Sequence, residues 1–190
     1  EILMTLSDGL IAFSGGPAGG IGRLIGEGQA ERAEALLLQL KEIFKDRLYI
    51  ELMRHNLEEE RRIEQSLIDL AYRHDVPLIA TNECYFISKD MYDAHDALVC
   101  ISEGAYVSQS ERRRLTPEHR LKTPQEMRDL FFDLPEAIDN TVLVAQRCAA
   151  MAETRDPLLP PAPKLDNDSQ SDGEVLKKLA NAGLENRIAS

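Results

Sequence analysis

The chain has 190 residues, 33 acidic side chains against 22 basic ones, and a formal net charge of −11. That length suits one domain, or one domain with an appendage, and 43% apolar residues are enough for a real core. The acidic balance argues against sequence-independent DNA binding, which needs Lys and Arg to displace phosphate counterions, and no apolar run is long enough to span a bilayer.

Leu10–Ser14, LIAFS, reads as a short apolar strand, so the chain opens close to a strand. The run Ser14–Gly22, SGGPAGGIG, follows it. Its glycine density permits positive φ and close backbone approach. A phosphate cradle fits poorly, because no Lys-Ser/Thr follows and the next helix starts late, so the run is expected to be a tight loop at a strand end.

Gln29–Phe44 has the spacing of an amphipathic helix, with Ala33, Leu36, Leu37, Leu40, Ile43 and Phe44 inward. Leu48–Met53, LYIELM, is the next strand. A carboxylate inside it, Glu51, must meet either solvent or a partner. Arg54 and His55 lie just past its end, and Asn56 is placed to cap a helix over Leu57–Arg73, whose stripe is Ile63, Leu67, Leu70 and Ala71. Glu58, Glu59 and Glu60 suit that helix's start, as a solvated face.

Leu78–Phe86, LIATNECYF, is a buried strand running into a polar turn. In parallel α/β folds the C-terminal strand ends are where sites are built, which singles out Glu83. The order β-loop-α-β-α-β implies parallel pairing of Leu10–Ser14, Leu48–Met53 and Leu78–Thr81.

Ser88 can cap a helix over Lys89–Ile101, with Ala94, Leu98, Val99 and Ile101 on its buried side. Residues 102–121 form a polar connection of unusual length, with Arg112, Arg113 and Arg114 solvated or internally paired. Thr123-Pro124-Gln125-Glu126 is a capping box opening a short helix toward Phe132. A further helix from Pro135 to about Met151 carries Ile138, Val142, Ala145 and Ala149 on one stripe. Pro157–Pro163 reads as an extended linker, and Asp166–Asp172 as a polar, flexible stretch. Ser171-Asp172-Gly173-Glu174 opens a last helix to about Ala180, with Gly183 as a stop.

Cys84, Cys100 and Cys148 are an odd number at wide spacings, which reads as reduced thiols of a cytosolic protein. Cys84 beside the strand end is expected to be a buried, inert thiol. His74 reads as a surface residue, and His119 in the polar connection carries no signal. Asp93, His95 and Asp96 look like a metal cluster, but neighbours one and two apart on a helix do not converge.

LIATNECYFI, DAHDALVCI and KTPQEMRDLFFDLPEAIDNTVLVAQRC together resemble the polymerase-and-histidinol-phosphatase (PHP) domain of bacterial DNA polymerase III alpha subunits. LPPAPKLDN and VLKKLANAGLENRI resemble the passage from that domain toward the polymerase core. The resemblance covers nearly the whole chain. It implies the later part of a distorted (β/α)7 barrel over residues 1–152, a linker over 153–172 and the start of the polymerase core over 173–190. The barrel's first strands, with an early His-x-His pair, would precede this chain, and the palm carboxylates would follow it.

Two positions of the family's metal site map here. Glu51-Leu52-Met53-Arg54-His55 stands where the family has Glu-(Leu/Ile)-x-x-His, so the resemblance implies His55 as a ligand. Thr81-Asn82-Glu83-Cys84-Tyr85 stands where the family has Thr-Asn-Asp-x-His. Glu83 replaces Asp, and Tyr85 replaces His, a poor exchange for a metal ligand. The expectation is a degraded site at His55 and Glu83, a vestigial zinc or manganese site at most, with no catalytic and no cofactor-binding residues in this chain.

The resemblance further implies a cytoplasmic replicative polymerase subunit using magnesium. Its partners would be a proofreading exonuclease subunit, a sliding clamp and primer-template DNA. This stretch would have a structural and docking role. Its truncated barrel is expected to self-associate at the Leu10–Ser14 side. The alternative function is a metal-dependent phosphoesterase.

Overall fold

A computed structural model describes residues 2–158 and 171–189. It divides into a unit of residues 1–149 and a second of residues 150–190. The first is mixed α/β around a three-stranded sheet in the order β1-β2-β3. These strands are β1 (Ala12–Phe13), β2 (Leu48–Met53) and β3 (Leu78–Thr81). Both pairings are parallel, as the βαβ pattern requires, with Ala12 opposite Leu48 and Met53 opposite Thr81.

β1 is shorter than the apolar run Leu10–Ser14 suggests. Ser14 N–H still bonds Tyr49 O at 3.0 Å. Its side chain turns to accept the Glu51 N–H at 2.9 Å, and Gly15 then takes φ +83°. The chain opens on a helix, α1 (Ile2–Leu6), that no spacing indicated, and none of its residues is buried. Within the glycine run, a 3-10 turn at Gly16–Ala18 leads straight into α2 (Gly20–Gly26), so the helix does not start late.

The core sits between the sheet and α3 (Ala30–Phe44) and α4 (Glu58–Arg73). Ala33, Leu37 and Phe44 of α3 are buried, as are Ile63, Leu67, Leu70 and Ala71 of α4, on the stripes that 3.6-residue spacing marks. β2 is buried at every position but its last.

α4 is not capped by Asn56. Asn56 sits in the left-handed region at φ +69°, and the extended residue before the helix is Leu57. Glu60 closes the turn, accepting the Leu57 N–H at 3.2 Å, and is itself 4% exposed. One of the three glutamates of the helix start is therefore an internal acceptor.

A 3-10 turn at Lys89–Met91 precedes α5 (Tyr92–Glu103), and Ser88 makes no side-chain cap. α5 is rotated from its expected face: Asp96 and Cys100 are buried, while Leu98 and Ile101 are 62% and 77% exposed. Asp96 is drawn in by Arg112, which donates through both terminal nitrogens to its carboxylate at 2.6 and 2.5 Å. Internal pairing of the arginine run thus holds for Arg112.

Thr123 opens α6 (Pro124–Leu130) with the capping box its sequence spells. Glu126 N–H donates to Thr123 Oγ1 at 3.2 Å, and Thr123 N–H donates to the Glu126 carboxylate at 2.8 Å. α7 (Pro135–Arg147) ends before Met151, and Val142 and Ala145 of its expected stripe are exposed. Ala137 faces in instead, packed with Phe131 and Leu134 into the core that reaches β3.

In the second unit, residues 150–158 are irregular and α8 (Asp172–Ala189) follows. Ser171 N–H donates to Glu174 at 2.9 Å, as a capping box should. Gly183 does not stop α8; a helical glycine costs only about 1 kcal/mol. Most of the Pro157–Pro163 and Asp166–Asp172 stretches lies outside the described residues. Among those residues no helix is long and apolar enough to cross a membrane.

Candidate functional site

Parallel pairing of β2 and β3 brings their C-terminal ends together, so Arg54 and His55 leave the sheet beside Asn82 and Glu83. Glu51, one turn of the pleat earlier, meets a partner rather than solvent. It is 8% exposed and accepts from Thr81 Oγ1 at 2.7 Å and from Gly15 N–H at 3.1 Å. With Ser14 on its own N–H, Glu51 ties the ends of all three strands.

His55 is 1% exposed and uses both ring nitrogens. The Glu83 N–H donates to Nε2 at 3.0 Å. That bond fixes the tautomer: Nδ1 carries the proton and donates to Glu60 Oε1 at 2.7 Å. Glu60 Oε2 accepts the His55 N–H at 2.7 Å. The Nε2 lone pair that would face a cation is therefore engaged by backbone.

His55 and Glu83 do meet, through the Glu83 amide and not its carboxylate. The Glu83 carboxylate accepts from the Tyr85 hydroxyl, and that bond raises the phenol's pKa above its ordinary value. Among the described residues no group of three or more His, Cys, Asp or Glu is placed to hold a metal ion. His95 lies against the rings of Tyr85 and Phe86, at 5.4 and 5.3 Å between centroids, while Asp96 turns away to Arg112.

His119 is the residue that sequence reasoning missed. It is 1% exposed, and its ring stacks on His55 with centroids 4.2 Å apart and planes 18° apart. The Thr116 N–H donates to its Nδ1 at 3.2 Å. Burial lowers its pKa first, and the neighbouring His55 lowers it further. The available signal was Thr116-Pro117-Glu118, a hydroxyl-led turn in which the Glu118 N–H donates to Thr116 Oγ1 at 3.2 Å.

Three other readings change. His74 is no free surface residue: its Nε2 lies 2.5 Å from Glu34 Oε1 on α3, which lowers the Glu34 pKa. Cys84 is exposed, not buried. The glycine run is not a plain loop but a 3-10 turn and the start of α2, with its backbone packed closely. A Cβ on Gly19 would lie 1.8 Å from Ser14 O, and one on Gly22 would lie 2.1 Å from Gly16 O.

Beside the cluster, a cleft of about 390 Å³ is lined by Arg54, Asn56, Glu60, Arg61, Glu64, Glu118 and Leu130. Its charges are spoken for. Arg54 joins Glu64 at 2.8 Å and Asp133 at 2.7 Å, with its guanidinium 4.5 Å from the Phe131 ring centre. Arg61 bonds Asn56, Glu60 bonds His55, and Glu118 bonds Lys89. Hydrogen bonding to Asp133 raises the Arg54 pKa further above its already high value. The arrangement suits a set of internal ties better than a grip on a charged substrate.

The comparisons with known proteins agree with this stretch's resemblance. The PHP domain profile matches residues 1–55. A protein of Caulobacter vibrioides named DNA polymerase III subunit alpha is 50% identical over 96% of this chain and 16% of its own length. Its counterpart in Rickettsia bellii is 40% identical over 99% of this chain, and that in Escherichia coli K12 is 34% identical over 98%. This chain is homologous to one stretch of those alpha subunits, spanning about one sixth of their length, with 16% covered in each.

Proposed function

We propose, from this homology to DNA polymerase III alpha subunits, that the chain serves as part of the PHP region of a replicative DNA polymerase, with a structural and docking role and no active site of its own. The observation that carries the proposal is the 50% identity across 96% of the chain to a DNA polymerase III alpha subunit. The satisfied state of His55 supports the non-catalytic half of it. The metal-dependent phosphoesterase is not favoured, because such chemistry needs metals to activate water and clamp the phosphate. Here the Nε2 lone pair is taken, and Tyr85 stands where the family has His.

On this reading residues 1–152 are the later part of a (β/α)7 barrel, 153–172 a linker and 173–190 the start of the polymerase core. The complete subunit would use magnesium at carboxylates outside this chain. It would work in the cytoplasm with a proofreading exonuclease subunit, a sliding clamp and primer-template DNA. His55 and Glu83 would be the remnant of a zinc or manganese site.

Two measurements test the reading. Primer extension by the purified chain should not exceed a no-protein control; extension above it would overturn the assignment of the active site elsewhere. Calorimetry with zinc or manganese should show weak binding or none. Sub-micromolar affinity that His55→Ala abolishes would restore the metal centre.

A further inference from the structure

Residues 112–122, separated from the end of α5 at Glu103 by residues 104–111, cross the C-terminal ends of β2 and β3, held at every few residues. Arg112 makes the buried pair with Asp96, the two side chains 3% and 7% exposed. Leu115 O accepts from the Tyr92 hydroxyl at 3.0 Å. Thr116 Oγ1 donates to His55 O, and His119 lies flat on the His55 ring. His119 O accepts the Tyr85 N–H at 2.9 Å, and Phe86 O accepts the Leu121 N–H at 2.8 Å, so Phe86 and Arg120 form a parallel bridge. Arg120 O accepts from Asn82 Nδ2 at 2.9 Å.

A polar connection of this length costs conformational entropy to order, and only many simultaneous bonds offset it. Here the bonds converge on one place, the strand-end crevice around His55.

We infer that residues 112–122 are a built-in strap that seals the strand-end crevice, with His119 covering the face of the His55 ring, and that the Arg112–Asp96 pair is the latch that keeps the strap down. This deepens the structural role proposed above. A result against the strap leaves that role to its own primer-extension test. A buried ion pair suits a latch because breaking it from one side leaves an uncompensated charge, so the docked state is sharply preferred over partial release. Arg112 and His119 are positioning residues: Arg112 acts through Asp96, and His119 through the Tyr85 N–H and the ring of His55.

Diethyl pyrocarbonate acylation of His55, read by peptide mass spectrometry, tests the sealing. Amide hydrogen exchange at Tyr85 and Leu121 tests the latch. In the wild-type chain His55 should stay protected. The variant Arg112→Met leaves the Asp96 carboxylate unpaired at its buried site, the condition under which the latch should fail. This variant should raise His55 acylation by about tenfold or more and speed exchange at Tyr85 and Leu121 together, as one cooperative opening. Exchange at Ile50, whose N–H bonds Pro77 O at 2.9 Å inside the sheet, should not change. If Ile50 also loses protection, the variant has unfolded, and Thr116→Val, which removes one strap bond, gives the reading instead. Rapid acylation of His55 in the wild type, or faster exchange confined to residues 104–114 with His55 still protected, overturns the strap.

Discussion

The two sides of β2 are built differently. On the β3 side the sheet is finished. The Ile50 N–H bonds Pro77 O, so the alternation of a parallel ladder points Leu78 O away from β2, and Asn140 of α7 donates to it at 2.7 Å. On the β1 side the sheet stops after two residues, Phe13 is 40% exposed, and no residue of α1, which precedes it in the chain, is buried. An edge covered by a helix is safe, whereas an open edge is a template for another strand. One parallel sheet thus carries a closed edge and an open one, and the His55 cluster sits at the C-terminal strand ends of the β2–β3 pair, on the closed side.

The largest expected effect lies on the closed side. Phe131 is fully buried beneath the Arg54 guanidinium. Phe131→Ala should destabilise the chain by about 3–5 kcal/mol through lost burial and the cavity it leaves. Phe13→Ala, on the open side, should cost only about 1 kcal/mol, the worth of a half-exposed ring and its edge contact with Tyr49. Urea titrations of the two variants read both values, and equal losses would erase the contrast between the sides.

Asn140→Ala comes next. It leaves Leu78 O without its side-chain donor and should cost about 1–3 kcal/mol. It should also open the second edge, so faster hydrogen exchange across β3 is expected, and unchanged exchange would show that α7 covers the edge by packing alone.

The open edge should make the chain self-associate. Sedimentation equilibrium should show a dimer or larger at about tens of micromolar, a range set by ordinary interface affinities. Phe13→Lys places a charge on that edge and should raise the dissociation constant by about tenfold, or ~1.4 kcal/mol. A clean monomer in the wild type would mean the β1 side covers itself.

The same contrast governs what was legible in the sequence. β2, β3, α3 and α4 were readable because their apolar periodicity and their burial coincide: Ile63, Leu67, Leu70 and Ala71 are all inward. α5 was misread because a long-range pair overrode its stripe. Arg112 pulls Asp96 in and leaves Leu98 and Ile101 outside. Glu83 was singled out by its place after a strand, and His55 by the family motif that residues 51–55 resemble. His119 was not, because its burial depends on a polar connection folding back over the sheet, which no local pattern encodes. Glu60 was missed for a related reason: its carboxylate looks like a helix-start charge, and only the turn at Asn56 aims it at His55.

The smallest effect sharpens how the strap meets the closed side. Arg120, next to the strap's bridge to Phe86, lies 2.6 Å from Glu126 in the first turn of α6. Arg120 acts first on the Glu126 carboxyl, and the Thr123 N–H and hydroxyl add to it, lowering its pKa from 4.5 to about 2. A depressed carboxylate pKa stabilises the fold above the unfolded value and loses that contribution as pH falls through the folded one. The tie should therefore be fully present above about pH 4.5 and lost only as pH drops through about 2. Carbon NMR of the Glu126 carboxyl should titrate with that low midpoint. Arg120→Gln should move the midpoint up but not back to 4.5, since the Thr123 N–H still donates at 2.8 Å. A midpoint that does not move would show that α6 holds Glu126 by its own capping box, and that the strap ends at Arg120 without gripping the helix beyond it.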